Sequence, residues 1–128
     1  MLLLFLQVSC SSHTPEANAG SSKARLVLEA GPRQGFGPLH VTFHAVLEGV
    51  EEHDQDFYCL QEEWDFGDGA KSSEQPYCED YTPESTVRTE FFVEHDYEEA
   101  GIYSARFTLG DKKIFSRQVN IKVIERSS

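Results

Sequence analysis

The middle of this sequence has very little positive charge, and that absence limits the partners it can bind. Between residues 51 and 99 there are seventeen acidic residues and only two basic ones, Lys71 and Arg88. Phosphate backbones and anionic lipid surfaces are bound through basic residues, so this region is excluded as a surface for nucleic acid or a charged bilayer. It is compatible with Ca²⁺, with a basic partner, or with an acidic face that only keeps the domain soluble.

Long hydrophobic runs are also lacking. The run at residues 2–8 is far shorter than the roughly 20 residues that span a bilayer, but its length is typical of the hydrophobic part of a signal peptide. No Lys or Arg separates it from Met1, so we expect the true start of the chain to lie upstream. An apolar N-terminal strand is the alternative. Residues 11–23, which are polar and rich in Ser, Ala and Gly, favour a flexible tether after an export segment.

The run ends in Val8-Ser9-Cys10, which resembles the lipobox of bacterial lipoproteins. In that pattern the cysteine is lipidated and becomes the new N-terminus. Gln7 departs from it, because Leu is usual at that place. The resemblance implies a lipid anchor on Cys10, and we expect contact with a membrane only through it. We therefore predict an exported protein, extracellular or in the cell envelope, with residues 1–10 as the export and lipidation segment.

The sequence has only three cysteines, an odd number for a secreted domain. If Cys10 carries lipid, Cys59 and Cys78 remain as a pair, and an oxidising compartment would let them form a disulfide. That bridge would close a loop of about 20 residues and contribute about 3 kcal/mol in the chain-entropy model. Metal binding by the two cysteines alone is disfavoured, because no CxxC pair or nearby His completes a four-ligand set.

Helical periodicity is almost absent, and apolar and polar residues alternate instead. In residues 39–45 the odd positions are apolar and the even ones polar, and residues 103–109 alternate in the same way. Such alternation predicts strands with one buried and one solvated face. We predict strands near 24–30, 39–47, 57–66, 86–96, 102–109 and 114–124, with a short edge strand within 70–82. About seven short strands predict an all-β fold, an Ig-like two-sheet antiparallel β-sandwich, over residues 24–126.

The most specific motif of the chain is Trp64-Asp65-Phe66-Gly67-Asp68-Gly69. It resembles the WDFGDG signature of PKD (polycystic kidney disease) domains at every position. Upstream, residues 38–43 resemble the family's Pro-Leu-x-Val-x-Phe strand. The family's H-x-Y-x-x-x-G-x-Y segment is matched downstream by His95, Tyr97, Gly101 and Tyr103. The resemblance covers about residues 25–125 and implies a non-catalytic extracellular module.

The signature is also explicable as a folding element. Trp64 and Phe66 share one face of a strand and can bury a large apolar area. Gly67 and Gly69 permit positive φ in a tight turn, which the carboxylate of Asp68 can cap. Tyr97 precedes a turn and suits a tyrosine corner, with its ring inside and its hydroxyl bonded to backbone.

Two features depart from the family pattern. Glu62 occupies a position where the family often has an aromatic residue, and a carboxylate that faces the core is costly unless it lies at an edge or is paired. The stretch 70–95 is long and carries Cys78, so we expect an extended loop or extra hairpin that the Cys59–Cys78 bridge would pin to the sheet. A function peculiar to this chain is expected there.

Carboxylates that are close in sequence suggest an enzyme as the alternative: Glu62, Glu63, Asp65 and Asp68. Glycosidases use carboxylate pairs. Neighbouring Glu62 and Glu63 point to opposite faces of a strand, however, and a domain of about 100 residues has no room for a catalytic cleft. No G-x-S-x-G motif supplies a serine nucleophile. We predict that the chain is not an enzyme; the alternative is an accessory or minimal carbohydrate-processing enzyme that uses the acidic cluster.

Few residues of this sequence are candidates for binding a metal ion. His40 and His44 would lie about 13 Å apart along a strand, so they cannot chelate one ion. Some PKD-type domains bind Ca²⁺ through carboxylates in the loop before the tryptophan strand. The resemblance thus implies Asp54 and Asp56 as candidate Ca²⁺ ligands, although no Gly follows Asp56 as it does in the family. No other cofactor is expected.

The resemblance also implies a general role. We expect a cell-surface module that binds protein or glycan, or a spacer that has no ligand. Because a fold does not by itself fix a function, the family pattern alone does not choose among these roles.

Overall fold

The computed structural model describes residues 23–111 and 114–126, which form an almost entirely β structure. Residues 1–22, with Cys10 and the predicted export segment, lie outside the described residues. The strands are β1 Arg25–Gly31, β2 Gln34–Phe36, β3 Leu39–Glu48, β4 Glu62–Asp65, β5 Lys71–Glu74, β6 Glu90–Tyr97, β7 Gly101–Leu109, β8 Ile114–Phe115 and β9 Val119–Ile124. A short 3₁₀ helix spans Gln55–Phe57. Within the described ranges, no helix has the length and apolar character needed to cross a membrane.

The strands form two sheets, which confirms the predicted β-sandwich. One sheet has three strands in the order β1-β3-β6, and the other has the order β2-β9-β7-β4-β5, with β8 paired to β7. Neighbouring strands are antiparallel except β2 and β9, which run parallel. The tryptophan strand β4 therefore lies between β5 and β7, with the other sheet across the core.

Alternation along the strands places the core between the two sheets. In β3 the odd positions from Leu39 to Leu47 are buried, whereas the even positions are exposed or half-buried. In β9, Val119, Ile121 and Val123 are buried in the same way. The core also contains Trp64, Phe66, Phe91, Tyr97 and Phe107. The pattern of period two therefore predicts which side chains are inside.

The strand predicted over 57–66 is wrong in its first half. Asp54 caps the 3₁₀ helix by accepting a hydrogen bond from the Asp56 N–H, and Cys59 has a positive φ of 58°. A chain that turns in this way cannot pair with β7, so β4 begins only at Glu62. Residues 86–89 are likewise loop rather than strand, because β6 begins at Glu90.

The last predicted strand, 114–124, is divided into β8 and β9 by residues 116–118. The Ser116 hydroxyl is buried and accepts a hydrogen bond from the Phe107 N–H. Strand β2 was not predicted, because a three-residue segment between prolines carries no alternation signal. It pairs with Lys122–Ile124 at the edge of the larger sheet.

Candidate functional site

The aromatic residues of the WDFGDG signature lie in the core. Trp64 is only 5% exposed, and its ring centroid lies 4.3 Å from that of Phe107 and 6.2 Å from that of Phe43. Phe66 packs against Phe43 at 5.6 Å and stacks on His95 at 4.0 Å. The signature therefore joins the two sheets through ring contacts.

The polar residues of the signature shape the turn after β4. Asp65 accepts a hydrogen bond from the Gly67 N–H, and Asp68 accepts one from the Ala70 N–H, both at 3.0 Å. The second carboxylate oxygen of Asp68 lies 2.7 Å from Nε2 of His95. These carboxylates thus hold backbone and an imidazole in place.

Tyr97 ties the end of β6 to this turn. Its side chain is fully buried, and its hydroxyl donates to the Phe66 carbonyl at 2.8 Å. Burial raises the pKa of the Tyr97 hydroxyl, and the nearby charge of Asp68 adds to the effect. Tyr103, two residues after Gly101 begins β7, donates from its own hydroxyl to the Glu99 carbonyl at 2.6 Å. Tyr103 therefore makes the short-range corner bond, whereas Tyr97 bonds the backbone that follows β4, a strand of the opposite sheet.

Gly67 and Gly69 both have positive φ, at +84° and +96°, but only Gly67 lies against other backbone. A Cβ on Gly67 would lie 2.4 Å from the Ser104 carbonyl oxygen, whereas one on Gly69 would meet nothing within 4 Å. We expect Gly69→Ala to cost about 1 kcal/mol, because L side chains disfavour positive φ. We expect Gly67→Ala to cost about 2 kcal/mol more, because backbone must shift. Urea unfolding measures the difference, and equal losses would contradict the contact.

The Asp68–His95 pair should make stability depend on pH. Burial alone would raise the pKa of Asp68, but the bonds from His95 and Ala70 outweigh it and hold the pKa below its ordinary value of 3.8. A lowered carboxyl pKa stabilises the fold above the unfolded-state value, and this contribution is lost as the pH falls through the folded-state value. We expect Asp68→Asn to cost about 1 kcal/mol at pH 6 and to show a shallower loss of stability below pH 4 than wild type.

Urea unfolding between pH 2.5 and pH 6 checks this expectation, with Asp80→Asn as the control, because Asp80 is exposed. An acid decline as steep in Asp68→Asn as in wild type would show that this carboxylate contributes nothing to the pH dependence.

Two loops at one end of the sandwich are joined to each other, and we call residues 51–61 and 75–89 the cap loops. The predicted bridge is present, with Cα atoms of Cys59 and Cys78 at 6.1 Å. Tyrosines supply further bonds: the Tyr58 hydroxyl donates to the Glu79 carbonyl, and the Tyr81 hydroxyl donates to the His53 carbonyl. The two tyrosine rings also meet edge to face at 5.5 Å. The cap loops therefore support each other.

A pocket of about 210 Å³ opens between the cap loops and the sandwich. Its walls are mostly apolar and include Phe57, Leu60, Phe91 and Leu109. Tyr77 lines it as well, and 93% of that residue is exposed to solvent. An apolar concavity beside an exposed aromatic ring is typical of a recognition site.

Glu62 lines the pocket and is only 6% exposed. Arg88, from the second cap loop, is its partner, with Nη1 at 3.1 Å from Oε2. The Arg88 side chain is 59% exposed, and its guanidinium lies 5.1 Å from the Phe91 ring centroid. Burial raises the pKa of the Glu62 carboxyl; Arg88 lowers it, and Glu74 raises it again. Of the two arrangements that would make this carboxylate less costly, a place at an edge or a partner, the structure shows the partner, a residue 26 positions away.

The other predicted site residues lie apart from the pocket. Asp54 caps the 3₁₀ helix, because its carboxylate accepts a hydrogen bond from the backbone N–H of Asp56. His40 bonds Asp96 and Glu94 on the outer face of the smaller sheet. The described ranges contain no group of three or more His, Cys, Asp or Glu side chains that could hold a metal ion. Calcium binding by Asp54 and Asp56 stays a prediction.

Sequence reasoning did not single out Arg88 or Tyr77 as site residues. A signal for Arg88 was present, because a core-facing carboxylate that is paired needs a cation, and only Lys71 and Arg88 are basic between residues 51 and 99. Lys71 lies opposite Asp65 on β5, which leaves Arg88. No comparable signal marked Tyr77, since its exposure follows from the path of the loop.

Two mainly antiparallel sheets around a buried tryptophan signature define an Ig-like β-sandwich module. Residues 25–122 match the family model of the PKD domain, and the chain belongs to this family. Its domains are typically non-catalytic modules of extracellular or surface proteins. Among solved structures, the chain is similar to the PKD domain of an M14-like peptidase from Thermoplasmatales archaeon SCGC AB-540-F20. The identity is 14% and the TM-score 0.46, with 80% of this chain and 94% of that chain covered. Comparison with curated proteins gave no match.

Proposed function

We propose that this chain is a non-catalytic module of an exported protein, and that it binds a protein partner outside the cell through the pocket of the cap loops. The pocket is the observation that carries the proposal. At about 210 Å³ it is smaller than the roughly 300–1,000 Å³ of pockets that hold drug-sized ligands. It suits one or two side chains of a partner, which is how protein interfaces place their strongest contacts.

A glycan fits this pocket less well than a protein side chain. Sugars present hydroxyl groups on all sides, whereas the walls are mostly apolar, and Glu62 and Arg88, the charged residues that line the pocket, already bond each other. Hydroxyl groups buried without partners would cost free energy. The exposed Tyr77 ring beside the pocket suits a protein interface, where aromatic residues are enriched.

The geometry of the acidic cluster supports a non-catalytic role. Glu62 is buried against Arg88, and its neighbour Glu63 points to the other face of β4. Asp65 and Asp68 hold the turn through backbone hydrogen bonds. The carboxylates that would serve a glycosidase are thus divided between two faces and a structural turn.

The disulfide supports export. Cystine bridges persist in oxidising compartments and are rare in the reducing cytosol. Cys59 and Cys78 are bridged, so the folded cap loops suit the cell exterior or envelope. Lipidation of Cys10, which would hold the module at a bacterial membrane, is part of the same proposal.

Site-specific photo-crosslinking tests the proposed function. Tyr77 is replaced by benzoylphenylalanine, and Ile102, which is 71% exposed and distant from the cap loops, carries the same group as a matched control. We expect cell-envelope extract to give a defined protein adduct at position 77 and none at position 102. No adduct at either position would favour a spacer, and selective retention on a glycan array would favour carbohydrate as the ligand.

A hydrolysis assay on the glycans of that array tests the enzymatic alternative. We expect no turnover. Turnover that disappears in Glu63→Gln would contradict the proposal, because it would give a half-buried carboxylate of the acidic cluster a catalytic role.

A further inference from the structure

We propose that the pocket receives one apolar side chain from a lysine- or arginine-containing segment of the partner, and that the carboxylates of Glu62 and Glu74 hold the cation beside it. The inference rests on the proposed function, because it names the chemistry of the partner that the pocket would take.

The apolar part of the inference follows from the walls of the pocket. Phe57, Leu60, Phe91 and Leu109 surround a volume of about 210 Å³. A water molecule occupies about 30 Å³ in the liquid, so this space equals that of about seven waters, and a Leu or Phe side chain fits in it. Moving such a side chain out of water is favourable in proportion to the apolar area that is buried.

The cationic part follows from the charges next to the pocket. Glu62 and Glu74 are directly opposite each other on β4 and β5, so their side chains lie on the same face of the sheet. Like charges in that position repel each other. Arg88 bonds one oxygen of Glu62, and one guanidinium neutralises only one of the two carboxylates. A cation from a partner would neutralise the second.

The two observations together select one class of partner. An acidic segment would meet both carboxylates and the acidic region 51–99, where seventeen acidic residues accompany two basic ones, and would be repelled. A purely apolar segment would fill the pocket and leave the Glu62–Glu74 repulsion in place. A segment with an apolar residue close to Lys or Arg satisfies both features.

Labelled peptides of 12 residues and defined composition are the probes for this inference. The test set has one central Leu, Phe or Trp and three lysines in a Gly-Ser background. One control set replaces the apolar residue by Ser, and another replaces the lysines by Glu. With the full chain, we expect fluorescence anisotropy to detect the test set and each control set to bind about tenfold more weakly.

Two pairs of matched variants locate the binding. Thr86 lines the pocket, so Thr86→Trp should fill it and weaken binding about tenfold. Thr89→Trp makes the same change outside the pocket and should leave affinity within twofold. Glu74→Gln should weaken binding about threefold and reduce its salt dependence, whereas Glu63→Gln, on the opposite face of β4, should do neither. Melting curves confirm that each variant is folded.

The outcomes separate this inference from the proposed function. Equal affinity of wild type and Thr86→Trp for the peptides would mean that binding depends on surface charge and not on the pocket, and it would overturn the inference. Preference for the Glu-containing peptides would overturn it as well. If no peptide binds but the crosslink at position 77 still captures its protein, the stated chemistry is wrong and the proposed function stands. If both experiments fail, both proposals fail.

Discussion

Replacement of Trp64 by alanine is expected to lower the free energy of unfolding by about 3–5 kcal/mol, the range for a large aromatic residue removed from a core. The indole is 5% exposed and packs between Phe43 of one sheet and Phe107 of the other. Its removal would leave a cavity between the sheets, because neighbouring rings held on paired strands relax only in part. Since small domains are stable by about 5–15 kcal/mol, the variant should be close to unfolding.

Urea unfolding followed by circular dichroism measures this loss. Ile102→Ala is the matched control, because Ile102 is 71% exposed on β7 and should change stability by less than about 0.5 kcal/mol. A loss below about 1 kcal/mol for Trp64→Ala would contradict the burial of the indole. Such a result would also remove the main physical reason for the WDFGDG signature.

Loss of the Cys59–Cys78 disulfide is expected to cost about 3 kcal/mol, from the chain-entropy cost of an open loop with a sequence separation of 19. We expect two samples to unfold at similar urea concentrations, both lower than for oxidised wild type: the double variant Cys59→Ser, Cys78→Ser, and wild type in reductant. The pocket should lose its structure before the sandwich does, because the bridge joins the two cap loops that form the pocket. Loss of the bridge should therefore increase the rate of hydrogen exchange more in residues 75–89 than in β3 or β7.

The serine double variant is its own control for the reductant, which should not affect it further. An unchanged unfolding midpoint in reduced wild type would mean that the hydrogen bonds of Tyr58 and Tyr81 are sufficient to hold the cap loops.

The β-sandwich was predictable from the sequence because its strands are long enough to show alternation. Leu39 to Leu47 read as a half-buried strand and form one, and Trp64 and Phe66 have the shared parity that places both in the core. Residues 57–61 misled the prediction because their apolar and aromatic residues are typical of a strand. Their conformation is decided by the Asp54 cap and the positive φ of Cys59, and neither feature produces a periodic pattern in the sequence.

The site was predictable only in part. The unusual Glu62 and the long stretch 70–95 indicated where to look, and the cysteine count suggested which loops are joined. The pocket itself was not predictable, because its shape depends on how two irregular loops meet. Pairs such as Tyr58 with Glu79, or Arg88 with Glu62, join residues 21 and 26 positions apart and leave no local pattern.

The anchoring of Cys78 to Cys59 also makes this end of the molecule suitable as a graft position. Val87 and Phe57 are the cap-loop residues that enter the core, whereas residues 79, 80, 82, 83 and 84 are exposed. Foreign sequence placed between Cys78 and Val87 would thus be anchored at one end by the disulfide and at the other by the buried Val87, while the Trp64 core below it stayed intact. The sandwich can serve as a scaffold whose specificity is changed by exchange of one short segment.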